Sequence, residues 1–467
     1  MGTQLGVWLA IACYGLLMVA IGAWASRRTR DTEDFFLGGR RLGPWLAAVS
    51  QGATQSSAWT LVGVSGAAYA WGLSAAWIWV SVVAGYAVNW LLVAPQLRRL
   101  SALDGSVTLV QWLAGPAETP LAVAARRSAS AIIVTSFLFY VAAQFQAAGS
   151  AFALVLGLDL EWCIAVGAAL IVGYTLVGGF WAASVTDFVQ GALMLFVSIV
   201  LPVAALAAAG GIGPLVSAVA ATTGDAAGWL GGREGAAALA FVAGTMGIGL
   251  AAPGQPHVVN HFMAARDDRA IRRGGGIAIG WIALVLAGML VVGWSGRLLA
   301  GPPGRAEDVL YAAAASWLPA VLGGFVTVAV MSAIMSTVDS QLLTATSSVS
   351  IDWRDGRRQA PLRAPRVTLL LFSALAAGIA LFAPATVYSR VLFAWNALGA
   401  AFGPLVLLRV LGRRAGPATL LTAMWTGFLL TVLFYLLPDS EGDVLERVLP
   451  FVAALCVAVA GTRRPVT

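Results

Sequence analysis

The densest chemistry in this chain is Met331–Gln341, MSAIMSTVDSQ. It lies inside an apolar stretch that starts near Leu318, yet it carries Ser332, Ser336, Thr337, Ser340 and the carboxylate of Asp339. A carboxylate among hydroxyls at membrane depth is expensive, so such residues mark an ion or substrate path. The competing reading is a polar seam that joins helices through hydroxyl hydrogen bonds. Ser336 and Ser340 are four residues apart and share a helix face, and Ser332 extends that face by a turn. Asp339 lies two positions beyond Thr337, about 200° around the helix, and so faces away from an ion held by Thr337. Its role is then a further ion position or a link to the helix that carries Asp187.

A hard cation takes oxygen ligands. Oxygens beyond hydroxyls come from backbone carbonyls wherever a membrane helix is broken, and two segments read as broken. In WLAAVSQGATQSSAWTLVGVSG the middle holds Ser50, Gln51, Gly52, Thr54, Gln55, Ser56 and Ser57. In TMGIGLAAPGQPHVVNHFM the interruptions are Gly247, Gly249, Pro253, Gly254 and Pro256. Proline removes a backbone donor, and freed carbonyls at this depth are tolerated only around a cavity or inside protein. The resulting candidate for a Na+ site is the carbonyls of Ala53, Ser56 and Ala333 with the hydroxyls of Ser336 and Thr337. The second break, from Ile248 to Pro256, forms a candidate cavity wall. Trp59, Tyr140, Gln144 and Gln146 are the side chains that could face it, although packing is the default for any aromatic in a chain with 18 Trp. Asp187, in ASVTDFVQGALMLF, is either a helix-start acid favoured by the dipole or an ion-pathway carboxylate.

The elements that must position these residues follow from composition. The 467 residues are 60% hydrophobic and 10% charged, against about 25% charged in soluble domains. Apolar runs at about 5–26, 45–70, 75–97, 129–157, 160–179, 185–208, 236–261, 275–299, 318–352, 367–384, 388–411, 418–437 and 447–461 predict thirteen membrane helices. The intervening stretch Ala209–Glu234 is expected to lie on the membrane surface. Threaded with the N-terminus outside and the C-terminus inside, 23 of the 28 arginines fall inside, and only Arg233, Arg297, Arg305, Arg390 and Arg447 fall outside. The net charge of +7 is therefore topology information and not a nucleic-acid face. The breaks lie five helices apart, which points to an inverted five-plus-five repeat with the site between the halves, or to two unrelated kinks. Cys13, Cys163 and Cys456 sit in separate apolar runs with neither metal nor disulfide spacing, and His257 and His261 are too few for a histidine metal site. The chain has no lysine, hence no Walker lysine, and no nucleophile–His–acid set. It reads as a transporter and not an enzyme.

SQGATQSSAWTLVGVSGAAYAWGLS, GGFWAASVTDFVQGALMLF, GQPHVVNHFMAA and AIMSTVDSQLL, with DFFLGGRRLG and NALGAAFGPLVLL, resemble the sodium/solute symporter family, and within it the sodium/proline symporters. The resemblance runs in order from about residue 5 to 460. It implies an all-α polytopic protein of the LeuT type, about thirteen helices with the second and seventh broken, in a bacterial-type inner membrane. The whole chain, 1–467, is expected to be one transporter domain, with an extra helix at 5–26, repeats at 45–208 and 236–411, and further helices at 418–461. It implies Na+ at positions matching Ala53, Ser56, Ala333, Ser336 and Thr337, and ion passage at Asp187. Tyr140 and Pro256 match positions near the proline symporters' site. The chain departs from that pattern at Gln55, where proline symporters carry an aspartate. It departs again at Ile248 and Ala252, where they carry Trp and Tyr lining the pocket. With Gln55 neutral, Asp339 and Ser340 gain weight in the ion pathway. The expected activity is Na+-driven import of a small solute, proline or a related zwitterion, in contact with membrane lipid and with no nucleic acid or obligate protein partner. A proton-coupled or uncoupled carrier and a membrane sensor are the alternatives.

Overall fold

The computed structural model describes residues 13–22, 24, 36–116, 118–223, 228–299, 303–353, 363–382 and 387–463. The loop arginines Arg27, Arg28, Arg30, Arg354, Arg357, Arg358 and Arg464 lie outside the described residues.

Helices follow the apolar runs. Those of eight or more residues are α1 (Cys13–Gly22), α2 (Pro44–Ala58), α3 (Val64–Trp71), α4 (Ala76–Ala87), α5 (Ala94–Asp104), α6 (Pro120–Leu156), α7 (Leu160–Ala209), α8 (Ile212–Thr223), α9 (Gly235–Leu250), α10 (Pro256–Met263), α11 (Asp268–Ser295), α12 (Val309–Trp317), α13 (Ala320–Ser347), α14 (Arg363–Phe382), α15 (Val387–Val410), α16 (Pro417–Tyr435) and α17 (Leu449–Gly461). Nine helical stretches among the described residues are long and apolar enough to cross a membrane. The first of these, Pro44–Asp104, is 61 residues long and contains a reversal. Gly72 has φ +64° and ψ −140°, which only glycine adopts readily. Contacts with α11 show the turn. Gly52 and Ser65 lie against Trp281 and Gly293, whereas Trp79 and Trp90 lie against Ala283 and Gly274. The chain before Gly72 thus runs along α11, and the chain after it runs back. Gly179, at φ +73° and ψ +176°, likewise divides α7 where the runs 160–179 and 185–208 meet. The stretch expected on the surface contains α8, which buries Leu215 and Val219.

Both expected breaks are present. Ser57 has φ +52° and ψ +179°, a positive-φ conformation that essentially only glycine visits and that costs a residue with a Cβ about 1–3 kcal/mol. Local hydrogen bonds hold it: Ala58 N donates to Gln144 Oε1 at 3.0 Å, and Trp59 N donates to Ser57 Oγ at 3.2 Å. A π-helical turn, Trp59–Gly63, then leads into α3. Between α9 and α10 the chain passes through a 3-10 turn, Ala252–Gly254, and an extended Gln255. Its loosened carbonyls are also satisfied. Trp395 Nε1 donates to Ile248 O at 2.8 Å, Gln255 Nε2 to Ala251 O at 3.2 Å and Asn89 Nδ2 to Ala252 O at 3.1 Å. Such partners are what irregular backbone requires where no water reaches it.

Candidate ion and substrate site

α13 is buried continuously from Val326 to Ser347. It lies against α2, beside the break at Ser57, and against α7. Ser336 Oγ donates to Ala53 O at 3.1 Å and to Ala333 O at 3.2 Å. Thr337 Oγ1 donates to Thr54 O at 2.9 Å and to Ala333 O at 2.9 Å. Two hydroxyls and three carbonyls therefore converge from α2 and α13 without a nitrogen or sulfur among them, the donor set a hard cation prefers. Ala53, Ala333, Ser336 and Thr337 are brought together. The Ser56 carbonyl instead takes the Thr60 hydroxyl and the Trp59 N–H, while Ser56 Oγ donates to Gly52 O at 2.8 Å. Thr54 O occupies the position on Thr337.

A second polar level adjoins the first. Thr54 Oγ1 lies 3.1 Å from Asp187 Oδ2 and 3.0 Å from Ser340 Oγ. Asp187 and Asp339 are 0% and 1% exposed and act electrostatically on each other. Two buried carboxylates that act on each other in a site of low dielectric attract a cation. Ser332 continues the same α13 face and lies 2.9 Å from the Tyr14 hydroxyl, which also takes Gln190 Nε2 at 3.0 Å. Thr54, Tyr14 and Gln190 escape a reading based on spacing, because their partners lie more than 130 residues away. Only the separation of Asp187 and Gln190, three residues on one helix, signals a shared face.

A small cavity, about 20 Å³, opens beside the break. Gln55, Trp59, Tyr140 and Ile248 line it together with Thr60, Tyr86 and Trp395. Ala252 and Pro256 lie outside the lining: the Ala252 carbonyl is tied to Asn89, and buried Pro256 opens α10. Gln55 Oε1 accepts from Gln51 Nε2, and Gln51 Oε1 accepts from Trp90 Nε1 at 3.0 Å. The amide of Gln55 is thus held within its own helix. Gln146 Oε1 accepts from Arg390 Nη1 at 2.7 Å, away from this lining.

The cavity holds little more than a water molecule, and both flanks are packed shut. On one flank Trp59, Tyr388 and Trp71 form a chain of rings at 6.0 Å spacings. Glu307 Oε1 accepts from Tyr388 N at 3.2 Å there, and burial raises the Glu307 carboxyl above its usual range. On the other flank Leu42 N donates to Ala264 O at 3.2 Å and Arg266 N to Leu42 O at 2.9 Å. Arg40 reinforces that seam by donating to Ser106 O at 2.7 Å and Met263 O at 2.9 Å.

A family model described as "Sodium:solute symporter family" matches residues 35–427. The osmoregulated proline transporter OpuE of Bacillus subtilis (strain 168) is 31% identical, over 98% of this chain and 95% of that protein. A sodium/proline symporter of Escherichia coli (strain K12) is 32% identical, over 92% and 88% respectively. Among solved structures, a Na+-coupled sialic acid symporter in a substrate-bound outward-open state matches with TM-score 0.79 at 17% identity, covering 98% of this chain and 99% of that one. A nucleobase-cation-symport-1 family transporter in a closed conformation matches with TM-score 0.59 at 14% identity, covering 91% and 93%. These two establish the LeuT-type architecture that the family resemblance implies.

Proposed function

This chain belongs to the sodium:solute symporter family, and on that premise we propose that it is a Na+-coupled symporter for proline or a related amino acid, working by alternating access. The observation that carries the proposal is the contact of Ser336 and Thr337 with the Ala53 and Thr54 carbonyls, one turn from the cavity lined by Gln55 and Trp59. A Na+ held by Ala53, Ala333, Ser336 and Thr337, with the Ser56 carbonyl turning in on binding, would pin the broken helix to α13. Asp187, Asp339 and Ser340 form the adjoining ion path. The substrate would lie against Trp59, Tyr140 and Ile248. The neutral Gln55 and the Ile248 side chain leave a pocket less charged and less aromatic than in proline symporters.

With the N-terminus outside, as this reading takes it, Arg40 and its seam would face the cytoplasm and Glu307 the outside. Each Na+ entering would gain about 2.3 kcal/mol per 100 mV, enough to concentrate a solute roughly fiftyfold. The test is proline uptake by proteoliposomes under an imposed Na+ gradient. Equal accumulation with choline in place of Na+ rules out sodium coupling. Acidification of the lumen during uptake without Na+ would instead assign the buried carboxylates to proton transport.

A further inference from the structure

The carboxylate level has a second bridge that ion binding as described above does not use. Asp187 and Gln190 lie about one turn apart on α7, and Ser332, Ser336 and Ser340 recur every four residues along α13. Thr54 spans the two helices at the level of Asp187 and Ser340. Tyr14 spans them at the level of Gln190 and Ser332, its hydroxyl oxygen accepting from Gln190 Nε2 at 3.0 Å and Ser332 Oγ at 2.9 Å. Gln190 and Ser332 are fully buried.

Tyr14 enters from α1, which precedes both broken helices. α1 docks along one stripe, Tyr14, Met18 and Gly22, while Leu16 and Val19 on its other faces are 72% and 53% exposed. In lipid no hydrophobic force drives such docking, so packing and polar ties decide where the helix sits. Gln190 Nε2 also reaches Met18 Sδ at 3.6 Å, so one buried amide holds two positions of the stripe. The Asp187 and Asp339 carboxylates are near enough to act electrostatically on the Tyr14 hydroxyl.

We propose that Tyr14 is a positioning residue for cation binding: its hydroxyl fixes the spacing of α7 against α13, and with it the separation of the Asp187 and Asp339 carboxylates. Like charges in a buried pair relax apart unless something holds them, and a site already spaced for its ion binds more tightly than one that must be drawn together. Through Tyr14, α1 becomes part of the ion-binding machinery. The inference rests on the sodium reading given above.

The test uses the full chain in proteoliposomes, with uptake measured against Na+ concentration, and in detergent, with Na+-induced thermal shift as an independent readout. Tyr14→Phe keeps the ring and removes both hydrogen bonds. It is expected to raise the Na+ concentration for half-maximal uptake about fivefold, equivalent to ~1 kcal/mol, with the maximal rate unchanged. Ser332→Ala breaks the same bridge from α13 and should shift it in the same direction. Met18→Leu, which alters docking but leaves the hydroxyl, should remain within about twofold of the parent. A parent that responds to Na+ beside a Tyr14→Phe variant with the same Na+ dependence overturns the role of Tyr14 alone. An equal shift in Met18→Leu also overturns it, by assigning the effect to docking. A parent with no Na+ response in either readout removes the sodium reading, and this inference with it.

Discussion

Replacing Thr337 with Val tests the ion site most directly. The two side chains have nearly the same shape, so packing on the buried face of α13 is kept while one oxygen is lost. That oxygen lies 2.9 Å from both Thr54 O and Ala333 O. Without an ion it spends its proton on those carbonyls; with an ion, its lone pair faces the charge. A hydrogen-bond-like interaction with a charged group is worth about 1.5–3 kcal/mol. The half-saturating Na+ concentration should therefore rise by about 10- to 150-fold. Thr337→Ser, which retains the oxygen, should remain within about threefold. At saturating Na+ the substrate KM should be unchanged, because Thr337 is absent from the cavity lining. The assay is initial uptake against Na+ concentration in proteoliposomes, with Na+-dependent thermal shift on the same preparations. A Thr337→Val protein with the parent's Na+ dependence in both assays would refute the assignment of this oxygen to the ion.

Three further perturbations probe other parts of the molecule. Gln55→Asp places a carboxylate within a turn of the ion site; the Na+ requirement should fall roughly tenfold, about 1.4 kcal/mol, in the same uptake titration, and an unchanged or higher requirement would mean that Gln55 serves only as a partner for Gln51. Arg40→Ala removes donation to Ser106 O and Met263 O; at about 2 kcal/mol the seam should open roughly thirtyfold more often, read as faster thiol labelling of Asn260→Cys in a chain whose native cysteines are replaced by serine. Glu307 has a carboxyl raised by burial, so the folded form retains its proton at pH values where the unfolded chain has lost it. Its contribution to stability is then full below the ordinary glutamate value of about 4.3 and is lost as pH rises through the elevated one. Melting temperature should fall between pH 4.5 and 7.5 in the parent, and by less in Glu307→Gln.

Much of this architecture is legible in the chain because the membrane imposes it. Apolar runs must be helices, and Pro253, Gly254 and Pro256 must interrupt one. The first break was legible only as a polar patch. Its position depends on a single residue, Ser57, adopting φ +52°, and no propensity marks that serine out from its neighbours. The consequence reaches the ion site. With the break at Ser57, Ser56 O is taken by Thr60 and Thr54 O becomes the partner of Thr337. A carbonyl has no side-chain identity to read, so its availability appears only with the backbone dihedrals. The α13 face was legible from its period of four. Tyr14 was not, because its partners come from helices more than 170 residues away and a tyrosine in an apolar run looks like any interfacial aromatic.

The proposed coupling would run through one short segment. Ala53 and Thr54 offer backbone oxygens to α13, while Gln55 and Trp59 from the same seven-residue span turn their side chains into the cavity. On the proposed reading the ion and the substrate would act on one piece of backbone, already held in an unfavourable conformation at Ser57. An ion that pins Ala53 and Thr54 to α13 reduces the freedom of Gln55 and Trp59 before the substrate arrives, so ordering the segment is counted once rather than twice. The linkage must be reciprocal: whatever factor Na+ contributes to substrate affinity, substrate contributes to Na+ affinity. With a coupling free energy of about 1–3 kcal/mol, that factor is roughly 5- to 150-fold. Equilibrium titrations in detergent, of Na+ with and without proline and of proline with and without Na+, should return the same number. Unequal factors would mean that the two titrations report different sites, and equal factors of unity would sever the ion site from the cavity despite their shared strand of backbone.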